Sequence, residues 1–137
     1  MMTRDAVRAL LQARGCPATV VQAGLAGLVD AWEAVVRQVE DGYPLTLDDY
    51  LNDMDLRDLV AAACDVAMPD ELAAVSARLA SADTRHRAHT EDAPCLWGED
   101  IAEEDGLDPT REWWYFRRPV RPGESLREDL ATWGLLP

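Results

Sequence analysis

Lysine is absent from this chain; all 13 basic residues are arginine. That excludes a Schiff-base lysine and a phosphate-loop lysine. Isoleucine, phenylalanine and asparagine occur once each, as Ile101, Phe116 and Asn52. These four residue types use AT-rich codons, so their scarcity points to a GC-rich, bacterial genome. Cys16, Cys64 and Cys95 are odd in number and widely spaced. They read as small buried hydrophobes in a reducing compartment, not as a disulfide framework. No G-x-S-x-G, H-E-x-x-H or glycine-rich phosphate loop occurs, and two histidines leave little scope for general acid–base chemistry. No catalytic residue and no cofactor is therefore assigned. Arg4, Asp5 and Arg8 are not followed by the apolar core of a signal peptide, and no run reaches 18 apolar residues. The expectation is a cytoplasmic protein with no membrane span.

What the chain has in excess is acid. Its net charge is −13, which disfavours nucleic acid and anionic membranes and favours a basic protein partner. The charge falls into three zones. Residues 1–90 carry 8 arginines against 14 acids, residues 91–108 carry 8 acids and no base, and residues 109–137 carry 5 arginines against 4 acids. Trp97, Trp113, Trp114 and Trp133 all fall in the last third. At 137 residues the chain is expected to form one domain. Its parts are a helical body over 1–90, an acidic connector over 91–110, and an aromatic, arginine-rich arm with a last helix over 111–137.

The expected fold is all-α, a single bundle of about five or six helices closed by an extended aromatic arm and a short terminal helix. Thr3 and Gly15 bracket a first helix with Val7, Leu10, Leu11 and the stem of Arg14 inward. Val21, Leu25, Leu28, Trp32, Val35 and Val39, at spacings 4-3-4-3-4, form an apolar seam flanked by Val29 and Val36. This marks the central helix of the bundle, with Gly42 as its stop. Gly24 and Gly27 weaken it but admit a close neighbour, and Glu33 and Arg37 stand as an i,i+4 pair. The alternative reading of the heptad spacing is a homodimer through residues 21–39.

Thr46 caps the next helix, with Asp48 and Asp49 in its first turn. Leu47, Tyr50, Leu51 and Met54 share a face that Leu56, Leu59 and Val60 do not, which predicts a break at residues 53–55 and a new helix over 56–66. Pro69, Asp70 and Glu71 open a further helix with Leu72, Val75, Leu79 and Ala82 inward. Trp97 and Ile101 are expected to anchor the connector. The β-propensity of residues 113–116 predicts an extended strand. Ser125 with Glu128 forms a capping box for a last helix with Leu126, Leu130 and Trp133 inward and Gly134 as its stop.

Three groups are candidate sites. Trp113, Trp114, Tyr115, Phe116, Arg117 and Arg118 have the composition of a protein-binding hot spot; the alternative is that the rings pack on their own bundle and the arginines pair with the connector's carboxylates. Asp48, Asp49, Asn52 and Asp53 form a D-D-x-x-N pattern that can hold Mg2+ against a phosphorylated small molecule, although helix capping and a solvated face explain it as well. His86, His89 and Cys95, with Cys64 or Cys16, are a weak zinc set lacking any C-x2-C pair; the alternative is two histidines near a helix end, partly exposed or packed on aromatics. The function expected is a small acidic interaction module of the inhibitor, immunity or adaptor type, with the Mg2+-dependent enzyme as the alternative.

Overall fold

The computed structural model describes residues 5–137. Thr3 lies outside them, and Asp5 stands at the N-cap of α1 (Ala6–Ala13). After Pro17 comes α2 (Ala18–Asp41), followed by α3 (Leu47–Val66) and α4 (Pro69–Ala88). A short strand β1 (Thr90–Asp92) leads to α5 (Glu99–Glu104), a 3-10 turn (Trp113–Phe116), β2 (Arg117–Pro119) and α6 (Glu124–Thr132). The chain is mainly helical, with a small two-stranded sheet as its only sheet among the described residues.

The seam of α2 organises the core. All eight seam and flanking side chains are buried, and α2 packs against α1, α3 and α4. By length and composition α2 also meets the requirement for a membrane-crossing helix, with a mean hydropathy of 1.3. Here its apolar face lies against its neighbours in the bundle. Its course is broken at Gly24, whose φ of 64° and ψ of −153° are open almost only to glycine. The kink brings Ala23 back onto Gly27, where an added Cβ would stand 2.3 Å from the Ala23 methyl. The small residue at 27 thus accommodates its own helix, not a second one. Glu33 does not pair with Arg37. It accepts from Arg78 on α4, as Asp30 does, while Glu40 accepts from Arg85. Contacts between helices replace the expected contact within one.

α3 is continuous, and the break expected at 53–55 does not exist. The reason is Arg57. It is buried and links the two apolar sets, so the buried positions Leu47, Tyr50, Met54, Arg57, Val60 and Ala63 form one row that winds round an unbroken helix. Leu56 and Leu59 lie half-buried at the edge of that row. Thr46 and Asp49 make the reciprocal capping box at the start of α3.

The C-terminal third is stitched to this body by backbone hydrogen bonds. β1 and β2 pair antiparallel, with Thr90 opposite Pro119 and Asp92 opposite Arg117. Ala93 N–H donates to the Phe116 carbonyl and Leu96 N–H to that of Tyr115, both at 2.9 Å. Tyr43, in the α2–α3 link, exchanges backbone bonds with Arg121 and Gly123. Residues 113–116 form a 3-10 turn and not a strand; the Tyr115 and Phe116 carbonyls accept from the connector while the rings of Trp113, Trp114 and Tyr115 turn inward. Cys95 and Leu96 anchor the connector; Trp97 and Ile101, expected in that role, are exposed and half-exposed. α6 starts at Glu124 behind Gly123 with no side-chain cap, so Ser125 does not serve as one. Leu126 and Leu130 are buried as expected. Trp133, expected inward, is 72% exposed, because Gly134 reverses the chain and Leu135 takes the inner place.

Candidate functional site

The aromatic arm is largely internal. Trp113, Trp114 and Tyr115 are 9%, 3% and 5% exposed, and Phe116 is half-buried. Their surroundings form a polar–aromatic cluster around Asp83. Arg57 donates to both Asp83 carboxylate oxygens at 2.9 Å, and the indole N–H of Trp32 donates to Asp83 Oδ1 at 2.9 Å. The Arg57 guanidinium stands 4.6 Å from the Trp114 ring centre, and Arg87 stands 4.1 Å from that of Trp113. The His86 ring lies between Trp32 and Trp113, at centroid distances of 5.1 and 5.5 Å. Tyr50 Oη is 3.0 Å from His86 Nε2. Burial first, then Arg117, Arg57 and Arg87, hold the His86 pKa down to about 3. The ring is therefore neutral, and Tyr50 donates to Nε2 when the imidazole proton sits on Nδ1.

The arginines of the arm pair with the connector. Arg117 contacts Asp92 at 2.8 Å, donates to Thr90 Oγ1 and reaches the Thr90 carbonyl at 2.7 Å. Arg118 pairs with Glu91 at 3.0 Å and reaches the carbonyl of Leu135. Of the six residues read as partner anchors, Trp113, Trp114, Tyr115, Arg117 and Arg118 are thus held within the fold, and Phe116 is partly covered.

The aspartates of the D-D-x-x-N pattern are dispersed among separate tasks. Asp49 caps α3, Asp53 accepts from the Tyr43 hydroxyl, and Asp48 and Asn52 face solvent. Nearby Asp55 accepts from the Tyr115 hydroxyl at 2.6 Å. Among the described residues no three carboxylate, histidine or cysteine side chains stand together as a metal set. Asp48, Asp49, Asn52 and Asp53, expected as shared Mg2+ ligands, are thus not gathered into one ligand set among the described residues. The zinc set fails likewise, since His86 is enclosed by tryptophans and His89 Nδ1 lies 2.9 Å from the Arg85 carbonyl. Burial pushes the thiols of Cys64 and Cys95 up, away from the thiolate a nucleophile needs.

The exposed aromatics lie elsewhere. Trp97 is 39% and Trp133 72% exposed, and together with Leu47, Leu51, Leu96 and Leu135 they line an apolar groove of about 360 Å3 with Asp48 at its edge. A second cavity, of about 480 Å3, is also lined by Trp97 and includes Asp55, Asp58 and Asp105. Burial and then the neighbouring Asp55 raise the pKa of Asp58, with Glu112 adding and Arg14 and Arg57 opposing.

Comparison with protein-family models, with curated proteins and with solved structures finds no match.

The sequence predicts Trp97 as an anchor of the connector and Trp133 on the inner face of the last helix. Each immediately precedes a glycine of positive φ, Gly98 and Gly134. A glycine of positive φ directly after a tryptophan turns the chain at that point, and the repeated Trp-Gly pair is the signal by which sequence reasoning could have found them.

Proposed function

We propose that this chain is an acidic protein-interaction module of a bacterial cytoplasm that binds a basic protein, acting by occlusion as an inhibitor, immunity factor or adaptor does. The observation that carries the reading is where the two charge signs lie. Arg57, Arg78, Arg85, Arg111, Arg117 and Arg118 are engaged in ion pairs within the fold, while the chain as a whole keeps a net charge of −13. The surplus carboxylates include the exposed Glu99, Asp100, Glu103, Glu104 and Asp105 of the connector, and Asp48, Asp55, Asp58 and Asp105 line the two cavities that the exposed Trp97 borders. Carboxylates of this kind steer a basic partner and raise the on-rate, and aromatic anchors then set the off-rate.

The test is capture from native lysate at low salt, followed by purification of any stoichiometric ligand and measurement of its association rate. The expected ligand has a basic isoelectric point, and its on-rate falls steeply between about 50 and about 300 mM salt as the Debye length shortens. A ligand whose on-rate ignores salt, or the absence of any stoichiometric basic ligand, overturns the reading.

A further inference from the structure

Asp48, Leu51, Asp55 and Asp58 follow one another at spacings of three, four and three along α3, so they form a single stripe on that helix. The first two line the apolar groove and the last two line the acidic cavity, and Trp97 borders both. Leu51 and Asp58 are seven residues apart, about 10 Å along the axis. No arginine lines either cavity, whereas Asp30, Glu33, Glu40, Asp83, Glu91 and Asp92 each meet one. An exposed indole pair beside leucines is the kind of apolar surface that marks an interaction site.

We propose that this stripe is the docking site for a basic segment of a protein partner. An apolar side chain of the partner sits between Trp97 and Trp133, and an arginine or lysine about 10 Å away enters the cavity of Asp55, Asp58 and Asp105. This rests on the proposed function and deepens it. The spacing corresponds to positions i and i+7 on a partner helix, or i and i+3 on an extended strand. The acidic cavity is what selects this occupant. A second copy of a −13 chain, or an anionic membrane, would bring charge of the wrong sign against it. Trp97 stacks on the incoming cation from one side while its other edge contacts the apolar anchor.

The test uses the full chain and a displayed library of random peptides. Selected peptides are expected to carry an arginine or lysine at one of those spacings from a large apolar residue. Trp97→Ala and Trp133→Ala each weaken them at least about tenfold, mainly through the off-rate. Asp58→Asn combined with Asp105→Asn weakens binding and flattens its salt dependence. Asp41→Asn, on an exposed site outside both cavities, leaves binding unchanged. Circular dichroism checks that each variant folds. Basic peptides that bind all the site variants equally overturn the stripe but leave the acidic module standing. Failure to select any basic peptide overturns both. A dimer that Trp133→Ala converts to monomer, read by light scattering, reassigns the groove to self-association and overturns the proposal.

Discussion

A single carboxylate holds the buried polar cluster together. Asp83 accepts from Arg57 and from the Trp32 indole, and Arg57 is 8% exposed. Removing one partner of such a pair leaves an uncompensated charge, whereas removing both removes the problem. Asp83→Ala is therefore expected to cost about 3–5 kcal/mol. Adding Arg57→Met should recover much of that, short of the unpaired Trp32 N–H, which costs about 1–3 kcal/mol. Urea unfolding of the two variants decides it. A single-variant cost below about 1 kcal/mol, or no recovery in the double variant, refutes the account. At this scale the sequence was legible for apolar residues, left His86 open between a metal set and packing on aromatics, and was silent on the burial of Arg57. Both are buried by partners distant in sequence, Asp83 in one case and Tyr50, Trp32 and Trp113 in the other. No local pattern announces such partners.

At the scale of elements, periodicity was a good guide where a helix has one covered face. The α2 seam is buried residue for residue, and its stop at Gly42 holds. It failed for α3, which contacts α1, α2, α6 and the 3-10 turn and so has apolar residues on more than one side. It failed for residues 113–116 because β-propensity describes a side chain's fit to a pleated surface, and no sheet lies beneath these rings. It also misread both Trp-Gly ends, and with them the groove. Backbone conformation, by contrast, makes predictions that do not depend on propensity. Gly24→Ala forces a side chain into a conformation that costs about 1–3 kcal/mol. At Gly123 an added Cβ would stand 2.6 Å from the Tyr43 carbonyl oxygen and 3.3 Å from Pro44 Cα, both backbone atoms. Gly123→Ala is expected to cost about 1–3 kcal/mol and to speed amide exchange at Tyr43 and Gly123, whose backbone bonds tie the arm to the body. Unchanged exchange at these two amides would mean that the arm is held from elsewhere.

The whole molecule registers its buried histidine through pH. In the unfolded chain His86 takes up a proton near the ordinary histidine value of about 6.5; in the folded chain it does so only at about 3. Between those values the unfolded state binds one more proton, so stability falls as pH is lowered, by up to about 1.4 kcal/mol per pH unit. The buried carboxylates act with the opposite sign. Burial raises the pKa of Asp53 and Asp58, so the folded state holds their protons more tightly and gains stability as pH falls through the carboxylate range. Glu40, with its pKa lowered first by its hydrogen bond from Arg85, loses its contribution in that same range. The interval from about pH 6.5 down to about pH 5, above the ordinary carboxylates, is where the His86 effect should show most plainly. Urea midpoints at fixed ionic strength should fall steadily across it in the native sequence. In His86→Leu the profile should be nearly flat there, although that variant starts from lower stability because Tyr50 loses its partner. A native profile that is flat over this interval, or a slope that persists in His86→Leu, would place the proton uptake on another group and remove the buried neutral imidazole from the account of this core.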